Sequence, residues 1–105
     1  MNGFERDYDE FARGARAVIA YPDLRSGDGR DTAARLDEAA GLAEAIGIQV
    51  AESLALRVRA PKPATLFGSG QVEEIATAVR AHEAQLIIVD GAITPVQQRN
   101  LEEAT

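Results

Sequence analysis

The residues best placed to do chemistry in this 105-residue chain cluster between Arg57 and Gln71. Arg57, Arg59 and Lys62 fall within six positions and are followed by Gly68-Ser69-Gly70-Gln71, which opens a helix-like segment. A helix N-terminus presents free backbone N–H groups and the positive end of the dipole, so the turn Gly68, Ser69, Gly70, Gln71 could bind an anion. Two glycines flanking one residue also suggest a backbone that turns tightly or takes positive φ. The turn is not a Walker A loop, because Gln71 stands where Lys is needed. It is not a full GxGxxG fingerprint either, because Glu73 replaces the third Gly. The bland alternative is a structural turn with a cap. For the three cations, the choice lies between a basic patch facing phosphates and a strand edge protected by charge. Asp90 sits where a strand ends, a position at which α/β folds place ligand groups and also cap turns. Gln97, Gln98, Arg99 and Asn100 read as a solvated helix face. His82 has no second His or Cys nearby and Cys is absent, so no metal site and no thiol chemistry are expected. No Ser-His-Asp or paired-carboxylate spacing is present, and no catalytic residue is assigned.

The elements that must position these residues follow from periodicity. Lys62 to Gly91 reads as loop, glycine turn, helix and strand. Val72, Ile75, Ala76 and Val79 form one apolar stripe at helical period, with Glu73 and Glu74 expected in the first turn. Leu86-Ile87-Ile88-Val89 is unbroken, which predicts a strand covered on both faces and stopped by Asp90-Gly91. Upstream, Ala15–Tyr21 is a buried-strand candidate closed by Pro22, followed by a Gly/Asp-rich loop. A helix capped by Asp31 or Thr32 carries Leu36, Ala39, Ala40, Ala43 and Ile46 on its apolar face and ends at Gly47 as C′. From Ile48 to Arg59, Leu54, Leu56 and Val58 alternate with polar or small residues, as on an edge strand. Thr94 to Gln97 matches a capping box with Pro95 at the first helical position, opening a last helix whose Val96, Leu101 and Ala104 are left uncovered. Phe4, Tyr8 and Phe11 suggest either a short docking helix or a loose arm over residues 1–14.

The expected fold is therefore α/β: a small open parallel sheet, β-α-β-α-β-α, with helices on both faces and right-handed crossovers, read as a fragment of a larger protein. Net charge is −6, hydrophobic residues are 46% and charged residues 27%, an ordinary soluble composition with no general electrostatic pull toward nucleic acid or anionic lipid. No apolar run reaches the length of a membrane span and no secretory signal core opens the chain.

Three stretches, RLDEAAGLAEAIGIQV, KPATLFGSGQVEEIA and LIIVDGAITPVQQRNLE, together resemble the N-terminal region of the HflX family of ribosome-associated GTPases. The matching residues are Pro63-Ala64-Thr65, Gly68, Gly70, Val72-Glu73-Glu74, Pro95, Gln97 and Arg99-Asn100-Leu101-Glu102, within a resemblance running from about Ala17 to Glu103. Gln71 departs from the family's Lys, Thr94 from its Ser, and Asp90-Gly91 from its acidic pair. The resemblance implies a subdomain spanning residues 15–105 of a cytoplasmic GTPase that binds the large ribosomal subunit and helps split or rescue stalled ribosomes. It implies partners in rRNA and in the family's own helical hairpin and GTPase domain, with no membrane span and no DNA. GTP and Mg²⁺ are implied for the full-length family and no cofactor for this stretch, which matches neither hairpin nor GTPase domain and should not hydrolyse GTP alone. Arg57, Arg59, Lys62, Arg99 and Asn100 are the residues expected to contact rRNA or a neighbouring domain. The alternatives are a small-molecule domain whose Gly68–Gln71 turn holds a nucleotide phosphate, and a purely structural positioning module.

Overall fold

A computed structural model describes residues 14–24 and 29–105. Three parallel strands lie in the order β2-β1-β3, with β1 at Arg16–Asp23, β2 at Gln49–Arg57 and β3 at Leu86–Val89. Helix α1 (Gly29–Ala45) links β1 to β2, α2 (Ser69–His82) links β2 to β3, and α3 (Pro95–Ala104) follows β3. Helix α1 packs on one face of the sheet, where Ala17, Ala43 and Ile48 form a small cluster with Val50, Leu86 and Ile88. Helices α2 and α3 cover the other face, where Phe67, Ile75, Leu101, Leu56 and Ala20 build the main core. The α/β sheet with helices on both faces is thus as expected. Phe67 substitutes for the missing Trp as the largest fully buried side chain.

The strand buried on both faces is β1 and not β3. All of Ala17 to Pro22 is buried, whereas the four residues of β3 are only half-buried. An unbroken apolar run reports covered faces, and β3 has these in part; among the described residues it is an outer strand of the sheet, with only β1 beside it.

Pro22 does not close β1, which continues to Asp23 beside Arg57 of β2. In a parallel ladder the N–H and C=O of one residue point to the same neighbour. The Ala20 carbonyl accepts from the Asp90 N–H at 3.0 Å, so Pro22, two residues on, also faces β3. It has no N–H to give there, and β1–β3 pairing stops at Ala20–Val89 while β1–β2 pairing runs on.

Between Ala17 and Val18 the register with β2 shifts by one residue, leaving Ala51 unpaired. The bulge reverses the side-chain phase. Val50 therefore faces α1, while Leu54 and Leu56 face α2, although all three positions are even-numbered. The expected alternation holds only beyond this point.

Helix α1 begins at Gly29, so Asp31 and Thr32 lie inside it and neither caps it. Thr32 Oγ1 donates instead to Asp23 Oδ2 at 3.3 Å. Gly47 does end the helix at φ +88, with its N–H on the Glu44 carbonyl and the Ile48 N–H on the Ala43 carbonyl, a Schellman closure. Ile46 leaves the expected apolar face and is exposed. Leu101, expected to be uncovered, is buried against Phe67 and Ile75, while Val96 and Ala104 are exposed. The expected docking helix at Phe4, Tyr8 and Phe11 lies outside the described residues.

Candidate functional site

The segment between β2 and α2 is a closed loop. Lys62 and Leu66 exchange two backbone hydrogen bonds, Lys62 N–H to Leu66 C=O at 3.0 Å and Leu66 N–H to Lys62 C=O at 2.8 Å. Pro63, Ala64 and Thr65 make the tip. Thr65 Oγ1 donates to the Phe67 carbonyl at 2.8 Å, and Leu66 takes φ +74, a conformation disfavoured for a side-chain-bearing residue. Burial of Leu66 and Phe67 in the main core holds the loop there.

Helix α3 grips this loop from the side. Thr94 Oγ1 accepts from the Gln97 N–H at 3.1 Å and Gln97 Oε1 accepts from the Thr94 N–H at 2.9 Å, the capping box expected from the sequence. The other end of the same amide does what the sequence reading missed. Gln97 Nε2 donates to the Lys62 carbonyl at 2.9 Å, and one turn later Asn100 Nδ2 donates to the Ala64 carbonyl at 2.9 Å. Gln97 is buried, so Gln97-Gln98-Arg99-Asn100 is not simply a solvated face. The i, i+3 spacing of Gln97 and Asn100 was the available signal.

The Gly68–Gln71 turn differs from expectation in its backbone. Gly68 is the N-cap at φ −68 and Gly70 lies inside the first turn, so neither takes positive φ. The helix begins at Ser69, which moves Glu73 and Glu74 into the second turn. A methyl group added at Gly70 would meet nothing within 4 Å. Gln71 closes the helix start: its Oε1 accepts from the Gly68 N–H at 3.1 Å, and its Nε2 donates to the Arg57 carbonyl at the end of β2. Gln71 is thus a cap and a tether. The N–H groups of Ser69 and Gly70 have no partner among the described residues.

Arg57, Arg59 and Lys62 do converge with Gly68 and Gln71, around one open cleft of about 530 Å³. β2 supplies Arg57 from its outward row, Arg59 and Lys62 follow it, and the α2 N-terminus closes the cleft. All three cations are exposed, and none forms an ion pair with a described residue. Arg99 and Asn100 stand apart: neither lines the cleft, Arg99 is exposed on α3, and the Asn100 amide is committed to the Ala64 carbonyl. Chemically, the cleft offers positive charge, so it is suited to holding an anion; Ser69 and Gly70, whose N–H groups are free of described partners, follow on the adjoining helix start and do not line it.

At the far end of α2, His82 Nε2 lies 3.2 Å from Glu52 Oε2, and Arg16 donates to the His82 carbonyl at 3.1 Å. His82 therefore links α2 to the sheet. Among the described residues no group of His, Cys, Asp or Glu could hold a metal ion, and no helix is long and apolar enough to cross a membrane.

The family model for the N-terminal region of GTP-binding GTPases matches residues 33–105. A GTPase HflX from Magnetococcus marinus is 44% identical over 75 residues, covering 70% of this chain and 17% of that protein. The GTPase HflX of Treponema denticola is 43% identical over 67 residues (64% and 17%), and that of Escherichia coli 30% identical over 95 residues (90% and 22%). The matched stretch thus spans about a fifth of these relatives. The Pro63-Ala64-Thr65 loop and the Gln97–Asn100 helix, far apart in sequence and bonded to each other in the fold, both lie inside the matched region, and the chain belongs to the HflX GTPase family, within its N-terminal region.

Proposed function

We propose that residues 15–105 act as the RNA-contacting N-terminal subdomain of an HflX-type GTPase, a cytoplasmic protein that associates with the large ribosomal subunit and helps split or rescue stalled ribosomes. The observation that carries this reading is the convergence of Arg57, Arg59 and Lys62 on one cleft of a protein whose net charge is −6. Unpaired cations that the fold gathers beside free N–H groups suit phosphates of a nucleic-acid backbone. GTP and Mg²⁺ belong, in this reading, to the GTPase domain of the longer family members, and Arg99 faces a neighbouring domain. The subdomain does no chemistry of its own; it positions the rest of the protein on rRNA.

Co-sedimentation with large ribosomal subunits tests this. The chain should pellet with subunits at low salt. Neutralising about three phosphates gives a log–log salt slope near −2 to −3, or about 15- to 60-fold weaker binding for a fourfold rise in salt. Arg57→Glu with Arg59→Glu should abolish binding. Failure to pellet at low salt, or indifference to both substitutions, would overturn the proposal.

A second reading rests on the Ser69 and Gly70 N–H groups, which could take the phosphate of a free nucleotide. Saturable ATP or GTP binding that Gly70→Pro removes would favour it over RNA. With neither ligand bound, the domain is a positioning module only.

A further inference from the structure

Helices α2 and α3 open in the same way. In each, a glutamine stands three residues after the N-cap: Gln71 after Gly68 and Gln97 after Thr94. In each, its Oε1 accepts from the N-cap N–H, at 3.1 Å for Gly68 and 2.9 Å for Thr94. Glutamate would serve that cap as well and would suit the positive end of the helix dipole better. What glutamine adds is a donor. Gln71 Nε2 donates to the Arg57 carbonyl, and Gln97 Nε2 donates to the Lys62 carbonyl at 2.9 Å. Both acceptors belong to cations that line the basic cleft, at the two ends of its Arg57, Arg59, Lys62 row.

We propose that Gln71 and Gln97 are a pair of positioning residues for the cleft, an inference that rests on the RNA-contacting reading. Each caps its own helix with one end of the amide and fixes the backbone of a phosphate-binding cation with the other. The sheet alone holds neither backbone. The Val58 N–H bonds to the Asp23 carbonyl at 2.9 Å, so Arg57, one residue earlier, turns its own carbonyl away from β1. It points to the outer side of β2, where Gln71 meets it. Lys62 lies beyond β2, at the base of the loop that left-handed Leu66 turns, and its carbonyl takes the Leu66 N–H together with Gln97. A backbone fixed in advance leaves only side-chain freedom to be lost when a phosphate binds. Arg59, between the two, is the internal contrast, because neither glutamine donates to its carbonyl.

Co-sedimentation with large ribosomal subunits, titrated over a range of salt, tests the pair through double substitutions. Glutamate keeps each cap and removes each donor. Gln97→Glu should therefore act as Lys62→Ala does, lowering the log–log salt slope by about one unit, and the two together should lower it no further. Arg59→Ala should lower the slope by about one unit with or without Gln97→Glu. A general effect of the added negative charge would instead leave Lys62→Ala at full strength beside Gln97→Glu. Because Gln97 is buried, Gln71→Glu with Arg57→Ala repeats the cycle at a half-buried position, where folding is disturbed less. If the unsubstituted chain binds but neither glutamate changes the slope, or if Lys62→Ala and Arg57→Ala keep their full effects beside them, the positioning role fails and the RNA-contacting reading stands. If the unsubstituted chain does not bind at low salt, both fail.

Discussion

Gln97 Nε2 donates to the Lys62 carbonyl at 2.9 Å, joining the first turn of α3 to the base of the Pro63-Ala64-Thr65 loop across 35 residues of sequence. The same side chain caps its own helix through Thr94. One buried amide therefore fixes both the start of α3 and the loop that carries Lys62 toward the basic cleft. Gln97→Leu keeps the volume and loses both bonds. It should cost about 1–3 kcal/mol, because the Thr94 N–H is left without its partner and the Lys62 carbonyl loses one of two donors. Urea unfolding should show a lower midpoint at unchanged m. Asn100→Ala, at a half-exposed position, should cost less, about 0.5–1.5 kcal/mol.

Gln71→Lys introduces the residue that the resemblance implies at this position and separates the two roles of Gln71. Lysine cannot accept from the Gly68 N–H, so stability should fall by about 0.5–1.5 kcal/mol. The added cation should tighten binding to ribosomal subunits and steepen the salt slope by about one unit. Tighter binding in a less stable protein is the pattern to look for in paired unfolding and co-sedimentation experiments.

Gly70 and Gly91 should respond in opposite directions. Gly70 is helical and an added Cβ meets nothing, so Gly70→Ala should stabilise by about 0.5–1 kcal/mol. If it weakens subunit binding while stabilising the fold, close approach of a phosphate is the reason for the glycine. At Gly91 a Cβ would lie 2.8 Å from Pro22 Cγ, on the central strand, and Gly91→Ala should cost about 1–3 kcal/mol. Thermal unfolding of the two variants reads both.

Glu83 ends α2 in the left-handed region at φ +51, with the Ala84 N–H on the Val79 carbonyl. Glycine is the residue suited to that position. Glu83→Gly should therefore raise stability by about 0.5–1 kcal/mol, since the exposed contact with Arg16 at 4.0 Å contributes little. A lower melting temperature for Glu83→Gly would show that this ion pair outweighs the backbone strain.

Much of this protein is determined by local sequence. The order β-α-β-α-β-α, the Gly47 closure, the Thr94–Gln97 capping box and the Leu54/Leu56/Val58 alternation each depend on residues a few positions apart. Periodicity and capping chemistry encode them directly. What the sequence left undecided depends on who neighbours whom. That β1 rather than β3 is central, and that Pro22 can sit inside it, follows from strand order, because only there does a missing N–H face an already ended neighbour. The burial of Gln97 and the tethering role of Gln71 arise the same way, since a polar side chain reads as solvated until a distant carbonyl is placed within its reach. The cations at 57, 59 and 62 were legible as a cluster. Their meeting with the Gly68–Gln71 turn in one cleft was decided by the closed 62–66 loop, whose left-handed Leu66 is held by long-range burial rather than by any local preference.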